Sequence, residues 1–112
     1  MIQIDSIGFG LTQKQFQLIE DAISSFSDIE KVIIFGSRVT GKFRASSDID
    51  LAVFGKNLNG TLINRLASAL DDLPLPFMFD VLNYDTIQNR NLKDKVNSQG
   101  KLFFERQLNS VL

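Results

Sequence analysis

Three aspartates in this chain are hard to explain as ordinary surface charge: Asp48, Asp50 and Asp80. Asp48 and Asp50 stand two apart in DIDLAVF, a run that alternates like a β-strand, so both carboxylates leave the same face. Like charges that close repel, and each raises the other's pKa unless a cation lies between them. Asp80 interrupts the otherwise apolar run FMFDVL. An unpaired carboxylate there is costly, so Asp80 either pairs with Arg or Lys or faces a cation. One site in which all three acids share divalent metal answers both problems. Magnesium suits it, being a hard cation that takes carboxylate, water and phosphate oxygens. Two such ions held by shared carboxylates clamp the attacking and leaving oxygens of a phosphoryl or nucleotidyl transfer. Taken singly, the acids have plainer readings. Ser46-Ser47-Asp48 could be a side-chain-capped turn that starts a strand, and Asp80 half of a buried ion pair. An EF-hand is excluded, because Ala52 and Val53 stand where its loop needs a further oxygen ligand and a glycine.

Gly36-Ser37 follows the apolar run KVIIF. A glycine there lets the backbone approach a phosphate closely, and the serine hydroxyl and following amides can donate to phosphate oxygens. Residues 36–42, GSRVTGK, also match the first seven positions of a P-loop. That reading fails. Phe43 occupies the position where Ser or Thr would bind magnesium, and about five residues separate Lys42 from the Asp48 strand, leaving no room for the long helix a P-loop must enter. A chain of 112 residues is also short for a sheet covered by helices on both faces.

Composition narrows the chemistry further. The chain has no histidine and no cysteine, which excludes a Ser-His-Asp triad, a Cys-His pair, disulfides and thiolate or imidazole zinc sites. Apolar residues make up 44% and charged residues 22%, ordinary for one globular domain over residues 1–112. No apolar run is long enough to span a membrane, and the start MIQIDSIGFG lacks the basic and apolar segments of a signal peptide, so a cytoplasmic protein is expected. The net charge of −1 argues against a dedicated nucleic-acid binder. Arg90, Lys93, Lys95, Lys101 and Arg106 gather late in the chain, but Asp94 and Glu105 dilute them.

The elements that must position these groups can be read from the pattern. Thr12 and Gln15 form a capping box ahead of Phe16, Ile19, Ile23 and Phe26, which predicts a helix from about Thr12 to Phe26. Strands are predicted at Lys31–Phe35, Asp48–Phe54 and Phe77–Leu82, with a loop that has room for one helical turn between the first two. Leu62, Ile63, Leu66, Leu70 and Leu73 predict a second helix, stopped by Pro74 and Pro76. Thr86–Ser98 predicts a third, ended by Gly100. The tail from Lys101 to Leu112 carries no clear pattern; Leu102, Phe103 and Phe104 could be core or contact surface. The short link between the first two strands makes them antiparallel neighbours, and the helix between the second and third permits a parallel pair. The expected fold is α+β: a small mixed β-sheet with helices covering one face.

Together, Gly36-Ser37, ten residues and Asp48-Ile49-Asp50 make the pattern GSx10DxD. Chance alone gives that match in roughly one such chain per thousand. The chain resembles the DNA polymerase β nucleotidyltransferase superfamily, and at this length its MNT-type minimal members. The resemblance is good over Ile29 to Tyr84 and includes a third acid on a later strand, matched by Asp80. It implies that Asp48, Asp50 and Asp80 are catalytic and hold two Mg2+ ions, with Asp80 a candidate acceptor for the proton of the attacking hydroxyl. It implies that Gly36 and Ser37 bind the triphosphate of ATP. Arg38, Lys42 and Arg44 are candidates to neutralise the leaving pyrophosphate, with Arg38 preferred because it adjoins Ser37. Relatives of this kind act as antitoxins beside a HEPN-type RNase toxin, moving AMP from ATP to a toxin tyrosine. The acceptor, the nucleotide and a homo- or hetero-oligomeric state cannot be read from the residues. A non-catalytic antitoxin or nucleotide-binding module that neutralises its partner by contact is the alternative.

Overall fold

A computed structural model describes residues 6–44 and 47–107. Residues 1–5, Ser46 of the turn expected before Asp48, and residues 108–112 of the tail lie outside the described residues.

The chain opens with a short hairpin, β1 (Ser6–Gly8) and β2 (Leu11–Thr12). Thr12 then caps α1 (Gln13–Ser24): its hydroxyl accepts from the Gln15 amide at 3.1 Å, and the Gln15 side chain accepts from the Thr12 amide at 3.0 Å. The capping box expected from the sequence is thus formed, satisfying two backbone donors that the helix start would leave open. Next come β3 (Ile29–Phe35), the single turn α2 (Ser37–Thr40) and β4 (Ile49–Gly55). They are followed by α3 (Gly60–Asp71), β5 (Phe79–Asn83), a tight turn at Tyr84–Thr86, α4 (Arg90–Gln99) and β6 (Lys101–Glu105).

Four strands form the main sheet in the order β5-β4-β3-β6. The β3–β4 pair is antiparallel and the β4–β5 pair parallel, as expected from the length of their connections. One face of the sheet is apolar: Val32 and Ile34 of β3 with Ile49, Leu51 and Val53 of β4. It is covered by Ile19 and Ile23 of α1 and by Leu66 and Leu70 of α3.

Three features differ from the expectation. The start of the tail, left unassigned by the sequence, forms a strand: β6 pairs antiparallel with β3, and Phe103 and Phe104 are both buried while Leu102 is exposed. Adjacent residues of a regular strand face opposite ways, and here a register shift between Val32 and Ile33 relieves that constraint. Helices do not cover one face alone. Val96 of α4 packs with Phe35 and Ala52 on the second face, flanked by Phe54, Leu82 and Tyr84, because the alternate residues of β4 and β5 are themselves partly apolar. Finally, α4 begins later than Thr86, since Asn83 caps the tight turn and Asn89 caps the helix through the Leu92 amide.

Arg106, counted above among the late basic residues, is used internally. Its guanidinium donates to the carbonyls of Ile29, Ser24 and Phe26 at 2.9, 3.1 and 3.0 Å, collecting acceptors at the C-terminal end of α1 and the start of β3. Arg106→Met should therefore lower unfolding stability by about 2 kcal/mol, the scale of hydrogen bonds from a charged donor. Urea denaturation followed by circular dichroism measures it; a loss within error of zero would show that the clamp is idle.

Candidate active site

The sheet brings the three acids to one end. Asp50 lies on β4 with Asp80 as its in-register neighbour on β5 and Phe35 as its neighbour on β3. Asp48 stands just before β4, its carboxylate exposed, and Asp80 is also exposed. Asp50 is half-buried. Burial pushes its carboxyl pKa upward, and the negative charges of Asp80 and then Asp48 push it further. The three carboxylates therefore share one field, as the sequence pattern required.

β3 ends at this same place, and Gly36 turns the chain from it into α2. Its φ of 84° and ψ of −155° belong to a region that is essentially restricted to glycine. A Cβ at Gly36 would also run into the Asp50 carboxylate. The glycine is thus needed twice, for the bend and for the carboxylate lying against it. Ser37 opens α2, directly after the glycine that abuts the Asp50 carboxylate. Lys42 and Arg44 are exposed in the following loop.

Arg38 does not stand where its place next to Ser37 suggested. It is 2% exposed. Nε and Nη2 both donate to the Ser47 carbonyl, at 3.1 and 2.9 Å, and Nη1 donates to the Phe9 carbonyl at 2.9 Å. The guanidinium lies 4.5 Å from the Phe77 ring centroid and 5.2 Å from that of Phe43. Burial lowers its pKa, and the charge of Asp48 opposes that shift. The expectation that Arg38 offers an open charge to a triphosphate is corrected: the guanidinium is buried and donates to the Ser47 and Phe9 carbonyls inside the protein. Sequence reasoning also passed over Phe9 and Ser47, which supply those carbonyls. The available signal was the spacing Gly8-Phe9-Gly10, typical of a tight turn.

Among the described residues no three acids form a ready cage for an ion. Magnesium needs none: it keeps waters and is commonly bound by one or two carboxylates together with substrate phosphates. The donor set fits that habit, with hard oxygens only, an acid whose charged form is disfavoured by burial and by the neighbouring carboxylates, and a glycine turn that leaves room beside it.

Two outcomes follow for the site without ligand. Asp50 holds its proton more tightly when folded than when unfolded, so its contribution to stability is intact below the ordinary carboxyl range and is lost as pH rises through the raised pKa. Asp50→Asn should remove this component, and in chelator the variant should melt higher than wild type at neutral pH but not at pH 3. Gly36→Ala should cost about 1–3 kcal/mol from its backbone alone. The contact with Asp50 should add to that cost, so Asp50→Ala should recover part of the loss. Equal costs in both backgrounds, measured by denaturant titration, would deny the contact.

Comparison with known proteins places this geometry. The sequence profile of the family described as polymerase beta, nucleotidyltransferase, matches residues 17–109. Among solved structures, a toxin–antitoxin complex crystallised with AMP-PNP contains a chain 28% identical, with a TM-score of 0.55 over 79% of this chain and 74% of that one. A chain from Sulfolobus solfataricus assigned as a nucleotidyltransferase is 29% identical, with a TM-score of 0.53 over 83% of this chain and 79% of that one. A complex of tri-AMPylated Shewanella oneidensis HEPN toxin with MNT antitoxin contains a chain 26% identical, with a TM-score of 0.51 over 81% of this chain and 73% of that one. No match is found among curated proteins. The profile covers most of the chain, and the chain belongs to the polymerase beta nucleotidyltransferase family.

Proposed function

We propose that the chain transfers AMP from ATP to a tyrosine hydroxyl of a HEPN-type toxin and thereby acts as its antitoxin in the cytoplasm. The observation that carries the reading is the pairing of Asp50 with Asp80 across β4 and β5, with Asp48 close by and the Gly36 turn against Asp50. The solved complexes support the finer part, one holding AMP-PNP and another an AMPylated HEPN toxin.

In this reading Asp48, Asp50 and Asp80 hold Mg2+, and the metal, when bound, neutralises charge on the phosphates and on the attacking oxygen. Gly36 and Ser37 receive the triphosphate, the glycine by close backbone approach and the serine by its hydroxyl. Lys42 and Arg44 stand exposed on the same loop and supply positive charge towards the leaving pyrophosphate. The acceptor oxygen attacks the α-phosphorus, the bond to the β-phosphate oxygen breaks, and the tyrosine leaves with AMP in ester linkage. Asp80, on the edge strand β5 and open to solvent, accepts the tyrosine proton. Asp50, the most enclosed of the three, serves as the fixed ligand and not as the base.

Asp48→Ala and Asp50→Ala should each reduce transfer of label from α-labelled ATP to a co-purified toxin by at least about a hundredfold, on the scale of a lost electrostatic stabiliser. Mass spectrometry of the co-expressed toxin should show added AMP mass with wild type only. Unchanged labelling by either variant refutes the catalytic reading. Variants that cannot label the toxin yet still neutralise it would point to inhibition by contact.

A further inference from the structure

Arg38 is the buried charged side chain among the described residues, and its bonds lead to the acids. It grips the Ser47 carbonyl with two of its nitrogens. The next residue is Asp48. On the other side of Asp48, the Ile49 amide donates to the Met78 carbonyl at 2.9 Å, at the approach to β5. Asp48 is thus one residue suspended between two backbone anchors, one of them made by Arg38. Within the loop, Ser47 is further fixed to Arg44: its amide donates to the Arg44 carbonyl at 3.0 Å, and its hydroxyl accepts from the Arg44 amide at 2.8 Å.

The other end of Arg38 reaches the hairpin between β1 and β2. Its turn is unusual: Gly8, Phe9 and Gly10 have φ of 108°, 61° and 72°. Phe9 pays for a left-handed backbone that non-glycine residues seldom adopt. That conformation delivers the Phe9 carbonyl to Arg38 Nη1 and sets the Phe9 ring 6.0 Å from that of Phe103. Gly10 is packed so closely that a Cβ there would strike the Phe43 ring and Arg38 Nη1, the contact to the latter being 2.9 Å.

We propose that Arg38 is a positioning residue, holding Asp48 at the metal through the preceding carbonyl and tying that carbonyl to the Gly8–Gly10 turn. The inference rests on the reading that Asp48 ligates metal. A lysine cannot replace the planar fork that bonds two carbonyls at once. Arg38→Lys should therefore weaken binding of Mn2+ alone, followed by electron paramagnetic resonance, about tenfold, the usual effect of losing a group that orients a metal ligand. In the transfer assay kcat should fall while KM for ATP stays unchanged, since the Arg38 guanidinium is buried and bonded to carbonyls of the chain. Gly10→Ala, which pushes on the Phe43 ring and on Arg38 from the hairpin side without altering an acid, should weaken Mn2+ binding in the same direction. It carries the test should Arg38→Lys fail to fold by circular dichroism. Equal Mn2+ affinity in wild type and folded variants overturns this inference alone. A rise in KM for ATP with metal affinity intact also overturns it, in favour of direct phosphate contact. A wild-type chain that takes up no Mn2+ overturns the proposed function and this inference with it.

Discussion

Three carboxylates crowd one end of the sheet, and the backbone around them must accommodate the burial of Asp50 and their mutual repulsion. Asp50 is half-buried between a phenylalanine on β3 and a second aspartate on β5, with a third acid two residues upstream. Such an arrangement lowers the stability of the free chain, and a fold selected for stability alone would disperse these charges. The neighbouring backbone instead makes room for them. Gly36 gives up its side chain where the Asp50 carboxylate lies, and its φ of 84° turns the chain aside at the same point. Destabilised functional groups held by a sound scaffold are the usual bargain of catalytic sites.

The scaffold is sound because two different kinds of cover close the sheet. The apolar face is sealed by the stripes of α1 and α3, and the face carrying Asp50 is sealed further along β4 by Ala52, Phe54 and Val96. The boundary between acid and apolar residues therefore runs across a single strand, between Asp50 and Ala52. Aromatic contacts reinforce it at the far end, where Phe54 and Tyr84 stack at 4.4 Å and the Tyr84 hydroxyl donates to Asn97 on α4 at 2.8 Å. The acid end is left more open while the middle of the strand is packed on both faces.

Much of this was legible in the sequence. Thr12 and Gln15 announced the start of α1, and the length of the loop after Gly36 dictated antiparallel pairing of β3 and β4. The alternation in DIDLAVF placed both acids on one face; Asp80 does neighbour Asp50, but the cost of burying it that the apolar run suggested is not incurred, because it is exposed on the edge strand β5. Other features were hidden for physical reasons. Phe103 and Phe104 break the alternation that marks a strand, and only pairing with β3 through an irregular register lets both turn inward. Arg38 misled because nearness in sequence was taken for nearness of function. Successive residues of a helical turn leave its axis about 100° apart, so Arg38 points into the protein although Ser37 begins the turn beside the acids. A buried guanidinium gives no sequence signal of its own; its acceptors are carbonyls, which every residue has.

The pairing of β6 with β3 bears on when the protein can form during synthesis. β3 is complete by Phe35, yet its outer partner is not made until Lys101–Glu105. A nascent chain stopped short of those residues carries the hydrogen-bonding edge of β3 uncovered, inviting pairing with other chains. It also lacks Arg106, which ties off the end of α1. Closure of the sheet on the β3 side thus awaits Lys101–Glu105, which follow the other strands of that sheet in the chain.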